Sequence, residues 1–110
     1  MQSVLLGEAV EHAPVAILVA DDEMRYVAAN VTACELLGYT REELLGLRVT
    51  DIAAYPEAEG EFEAMIESGE LIGRTVVTLK DGSRLSLRHR SSEVSIAGLE
   101  YYVAVLWPDG

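Results

Sequence analysis

The apolar positions of this chain fall into short blocks whose spacing shifts between helical and strand-like periods. Residues 2–12 set Val4, Leu5, Leu6 and Val10 against Glu8 and Glu11, predicting a short helix that Pro14 ends. Residues 15–20 are a continuous apolar run, short enough for a buried strand. Asp21, Asp22 and Glu23 make a turn into a second strand over residues 25–29, so the pair forms a hairpin. Pro56 opens a later helix over residues 56–68, with Phe62, Met65 and Ile66 on one apolar stripe and its glutamates mostly facing water. Gly69 stops it. The rest reads as β: residues 71–79, a Lys80-Asp81-Gly82 turn, residues 83–95, an Ala97-Gly98 turn and residues 99–107. The order β-β, helices, β-β-β predicts an α+β fold, five antiparallel strands with helices packed on one face.

Between the two β regions, residues 30–51 read NVTACELLGYTREELLGLRVTD. Gly38 divides this stretch into two helical pieces, each with its own start signal. Asn30 caps the first by accepting an orphan N–H of the opening turn. Thr40 opens the second, Glu43 completes a capping box, and Gly46 is expected as the C-cap. Asn30 and Asp51 read as capping and turn residues rather than as chemistry. The order strand, Asn, short helix, Leu-Gly-Tyr, second capped turn, Leu-Gly resembles the PAS (Per-Arnt-Sim) sensor-domain family over nearly the whole chain. The resemblance implies a single PAS domain over residues 1–110, with 1–13 as an N-terminal helix or cap and 15–107 as the core. It also implies one sheet of all five strands around a small internal pocket.

Period two assigns the faces of the last strands. Leu85, Leu87 and His89 share the face expected to meet the helices, and Arg84, Ser86, Arg88 and Arg90 share the outer one. In residues 99–107, Tyr102, Ala104 and Leu106 alternate with Tyr101, Val103, Val105 and Trp107, so both faces are apolar and both call for cover. The N-terminal helix, through Leu5, Leu6 and Val10, is expected to cover part of the outer face. What it leaves open, Tyr101, Val103, Val105 and Trp107, is an expected interface. The resemblance implies a homodimer through this face and that helix.

The pocket implied by the resemblance is expected to be mostly apolar, lined by Val27, Cys34, Leu37, Ile52, Met65, Ile66, Val77, Leu79, Leu87, Ala104 and Leu106. His89 and Tyr102 are its expected polar handles, with Ser91 near the strand end. Such a cleft suits a lipophilic acid or a flat aromatic metabolite. A histidine there pairs a carboxylate and changes charge near neutral pH. The final strand LEYYVAVLW is similar to that of the flavin-binding light-oxygen-voltage class. That class carries a reactive cysteine where this chain has Val49, and flavin-binding amides where it has Val77, Leu87 and Leu106. Flavin is therefore not expected, because the ring's polar edge would be left unpaired. Haem is not expected either: residues 56–68 hold no histidine, and His89 sits on a strand as a core residue. Cys34 reads as a small buried hydrophobe, and one cysteine with two distant histidines gives no metal site.

Composition narrows the function classes. At 110 residues the chain is one domain, and half its residues are hydrophobic, so it is expected to fold. Nineteen acids against eight bases give a net charge of -11, which repels nucleic acid and anionic membranes. A lone cysteine and the lack of a signal-peptide pattern point to the cytoplasm. No nucleophile elbow or phosphate loop is found, so catalysis is not expected. The resemblance implies a sensor domain of a bacterial signalling protein such as a sensor histidine kinase, cyclase or transcription regulator. Two roles stay open: a ligand-binding sensor that relays to an effector domain, and a ligand-free dimerisation or docking module. Many relatives end the last strand in an Asp-Ile-Thr signal leading to a coiled coil. Here Leu106-Trp107-Pro108-Asp109-Gly110 puts a proline at that point, so either the usual output connection is not made there or this sequence stops short of it.

Overall fold

The computed structural model describes residues 2–52 and 70–108. Along the chain run α1 (Gln2–Glu11), β1 (Ala16–Asp21), β2 (Tyr26–Ala29), α2 (Val31–Leu37), α3 (Arg41–Leu44), α4 (Val49–Ile52), β3 (Glu70–Thr78), β4 (Arg84–Ile96) and β5 (Leu99–Pro108). The strands form one antiparallel sheet in the order β2-β1-β5-β4-β3, so the first and last strands meet at its centre. The helix expected over residues 56–68, with Phe62, Met65 and Ile66, lies outside the described residues.

Local chemistry sets the helix ends. Asn30 caps α2, its side chain accepting from the Ala33 N–H, and Gly38 ends it in the left-handed region at φ 82°. A glycine adopts that conformation without the Cβ clash that penalises other residues. Thr40 and Glu43 form a reciprocal capping box at the start of α3. Gly46, expected as the C-cap, is not one: Leu45 takes that position in a right-handed conformation. The single turn of α3 ends by tightening, Gly46 N–H bonding the Glu43 carbonyl and Leu47 N–H the Leu44 carbonyl, so no left-handed residue is required. At α4, the Asp51 carboxylate accepts from the Arg48 N–H at 2.8 Å.

The core lies between the inner sheet face and the helices, with Leu37, Leu44, Ile52 and Leu87 fully buried. Two sequence expectations are corrected. Val27 is 42 % exposed rather than inward. The register of β1 on β2 slips, pairing Val19 with Ala28 but Ala20 with Tyr26, and this bulge turns Val27 out and Tyr26 in. The second concerns α1. Val4, Leu5 and Leu6 are 66 %, 63 % and 67 % exposed and Val10 is 40 % exposed, so these side chains do not cover the outer sheet face. The C-terminal end of α1 is tied instead to the start of α2. Asn30 donates to the Val10 and Val15 carbonyls, Thr32 Oγ1 donates to the Ala13 carbonyl, and Arg41 pairs with Glu11.

Candidate functional site

All five strands and two helices contribute to one small cavity on the inner face. Ala16, Leu18, Tyr26, Val77, Leu87 and Leu106 form its sheet side, and Leu36, Leu37 and Ile52 its helix side. It leaves about 20 Å³ for the centre of a water molecule, room for roughly one water. Tyr26 brings the one polar side chain among these lining residues.

A buried polar group lies on the same face, towards β3 and β4. His89, Thr75 and Ser91 are buried, and His89 Nδ1 shares a 3.3 Å hydrogen bond with Ser91 Oγ. His89 stands opposite Gly73 on one side and Leu106 on the other. Its Nε2 edge faces Gly73, 3.7 Å from where a side chain there would begin. Gly73 thus presents no side chain to that edge of the ring. Leu106 connects the two regions, since it both lines the cavity and pairs with His89.

Of the residues expected to line the pocket, Leu37, Ile52, Val77, Leu87 and Leu106 do so. Cys34, Leu79 and Ala104 are partly buried and pack against the core without lining the cavity. His89 and Tyr102 are buried. Val27 is turned outward, and Met65 and Ile66 lie outside the described residues. The sequence reading missed Ala16, Leu18, Tyr26 and Leu36. For Ala16 and Leu18 the signal lay in the pairing of β1 with β5, where Ala16 stands opposite Leu106 and Leu18 opposite Ala104. Thr75 was missed as well, although two-residue alternation from Val77 leads to it.

The electrostatics quieten two potentially reactive groups. Burial pushes the Cys34 thiol above its ordinary value, with Arg41 pulling part of the way back, so the thiol stays protonated at neutral pH. Burial also raises the Tyr102 phenol, helped by the nearby Glu93, Glu100 and Asp22. Glu93 and Glu100 share a hydrogen bond at the exposed end of this face, which raises the Glu100 carboxyl. Among the described residues no group of His, Cys, Asp or Glu is placed to hold a metal ion. None of the described helices is long and apolar enough to cross a membrane.

A sequence profile described as PAS domain matches residues 14–106. Among curated protein sequences none matches this chain. Many solved structures share the fold. The PAS domain of an HTR-like protein from Haloarcula marismortui has a TM-score of 0.85 at 21% identity, over 96% of this chain and 90% of that one. A domain of a sensory box sensor histidine kinase/response regulator from Geobacter sulfurreducens has a TM-score of 0.81 at 24% identity, over 98% and 94%. A light-oxygen-voltage domain studied with a flavin analogue has a TM-score of 0.79 at 19% identity, over 96% and 85%.

Proposed function

This chain belongs to the PAS domain family, and from that premise we propose that it is a signalling sensor domain. Its cavity takes a small, mostly apolar ligand, and occupancy is relayed through α1 to a second copy and through the outer sheet face to a downstream effector. A similar domain occurs in a sensor histidine kinase/response regulator. The observation that carries this reading is the apolar cavity beside the buried His89–Ser91 contact, the two joined by Leu106. Apolar walls with one convergent polar pair suit a lipophilic acid whose carboxylate meets His89. At its present size the cavity admits such a ligand only as its walls move apart, so binding selects an opened form. Asn30 then passes the displacement on, because it bonds β1 at Ile17 and α1 at Val10 together.

Flavin and haem have no part in this reading. Val49, half-buried at the start of α4, stands where the resemblance to the light-oxygen-voltage class puts the reactive cysteine. Val77, Leu87 and Leu106 offer the ring no hydrogen bond, so its buried amides would go unpaired. The role is sensory rather than catalytic. In a serine–histidine–carboxylate arrangement a carboxylate orients the histidine base. The next inward carboxylate on β4, Glu93, lies four residues beyond His89, roughly 13 Å along the strand and past Ser91.

A second reading, a ligand-free dimerisation or docking module, is favoured by the small volume of the cavity and the exposed apolar side chains of α1. Native mass spectrometry, run beside the same sample denatured, separates the two. The sensor reading expects an added mass that is lost on denaturation and is absent from His89→Ala. A protein with no adduct, before and after incubation with medium-chain fatty acids, overturns it in favour of the docking module.

A further inference from the structure

The outer face of the sheet carries a charge pattern opposite to that of the chain as a whole. Against nineteen acids there are only eight Lys and Arg. Four of them, Arg74, Arg84, Arg88 and Arg90, are exposed on the outer face of β3 and β4. The register sets Arg74 directly opposite Arg88, and Arg88 directly opposite Trp107. The next row turns apolar: Arg90 faces Val105, which faces Ile17. Val103 and Val19 form the row after it. These apolar side chains are half-buried, as is Trp107, and α1 does not cover them. A guanidinium field on β3 and β4 thus runs into an apolar strip on β5 and β1, with Trp107 at the seam.

We infer that this face docks an acidic protein segment that also carries apolar side chains. Its carboxylates meet the guanidinium groups of Arg84 and Arg88, and its apolar residues cover Trp107 and Val105. Charge complementarity selects this occupant. A nucleic acid or an anionic bilayer extends well past the patch and meets the acidic remainder of the chain. A short acidic segment meets the arginines alone, since charges are screened beyond roughly 8 Å at physiological ionic strength. Face-to-face pairing with a second copy sets the arginines against arginines when the two-fold axis crosses the strands, and against the apolar β1 and β2 side when it runs along them. The inference goes beyond the sensor reading and does not depend on a ligand in the cavity.

Trp107 is the only tryptophan, so its fluorescence reports on the proposed site directly. The full chain is titrated with a soluble peptide of repeating Glu-Leu-Glu-Ala, and in parallel with versions carrying Gln or Lys in place of Glu. The expected result is a saturable shift of Trp107 emission with the Glu peptide only. Added salt should weaken it, and the Arg84→Gln/Arg88→Gln double variant should bind about tenfold less tightly. Both arginines are exposed, and circular dichroism checks that the variant keeps the fold. Equal affinity of the variant and the parent, or equal binding of the Lys peptide, overturns the proposal. Tighter binding to phosphatidylserine vesicles or to oligothymidylate than to the Glu peptide overturns it in favour of those partners. A Trp107 shift that follows protein concentration alone, abolished by neither substitution, assigns the face to a second copy instead.

Discussion

The side-chain amide of Asn30 donates to the carbonyl of Val10 at 2.8 Å, joining the last turn of α1 to the first turn of α2 across twenty residues. The same amide donates to Val15, while its oxygen accepts from the Ile17 and Ala33 N–H groups at 2.9 Å each. One buried side chain therefore caps a helix, fixes the start of β1 and holds the N-terminal helix. Replacing Asn30 with alanine removes all four bonds, leaving the Val10 carbonyl only its 3.3 Å bond from the Ala13 N–H, and should cost about 2–4 kcal/mol in urea unfolding. Asn30→Asp separates the functions: it keeps both accepted bonds and turns a carboxylate towards the two carbonyls. Amide hydrogen exchange should then quicken in α1 while α2 stays protected. Equal exchange in the two helices would dissociate Asn30 from the hold on α1.

Leu87 is fully buried at the floor of the cavity, at the centre of the inner face. Leu87→Ala should lower stability by about 2–5 kcal/mol, through lost burial and the void left behind. The same void enlarges the cavity, so this variant is also the one in which indole or a short fatty acid should raise the melting temperature. A loss below about 1 kcal/mol would mean that the helices settle onto the sheet and close the space.

Glu43 links α3 to the β3–β4 turn through a 2.5 Å contact with Lys80. This bond, with the Thr40 backbone, lowers the Glu43 carboxyl from 4.5 to about 2. A lowered folded pKa means that the unfolded chain binds the proton more readily in that window. The contribution is therefore complete above pH 4.5 and is lost as pH falls towards 2. Glu43→Gln should flatten this part of the pH dependence of the urea midpoint. A parent and variant with parallel curves between those limits would show that the contact carries no stability. The side chain is exposed, so the effect is modest and shrinks with salt.

Leu5 and Leu6 stand on the open side of α1. Leu5→Glu/Leu6→Glu should leave the isolated domain within about 0.5 kcal/mol of its original stability, yet abolish any dimer held through this helix. Light scattering over a range of concentrations measures this. A parent that is monomeric throughout, or a dimer indifferent to both substitutions, removes α1 from the proposed interface.

The local signals of the sequence were dependable where a single side chain acts on its own backbone. Asn30, Thr40 and Glu43 each cap as their positions suggest, because a cap needs only neighbours within three or four residues, whereas Gly46, expected to end the second piece, gives way to Leu45. Legibility fell where geometry depends on pairing. Val27 was expected in the pocket, and the slip of β1 against β2 turns it out and brings in Tyr26, which the sequence reading had not considered. The apolar run of β1 named no face until β5 lay beside it, so Ala16 and Leu18 escaped notice. The apolar side of α1 suggested cover for the sheet, but the bonds from Asn30 and Thr32 and the Arg41–Glu11 pair hold the helix at the α2 side. One-turn helices such as α4 are too short for a periodicity to show.

The pairing of β1 with β5 bears on how such a domain can be wired into a larger chain. Ala16 lies opposite Leu106, so the polypeptide arrives and departs on adjacent strands, about 5 Å apart. Flanking segments are handed to each other at one end of the sheet instead of being spaced apart by the width of the domain. A small shear between these two central strands would then slide one flank against the other.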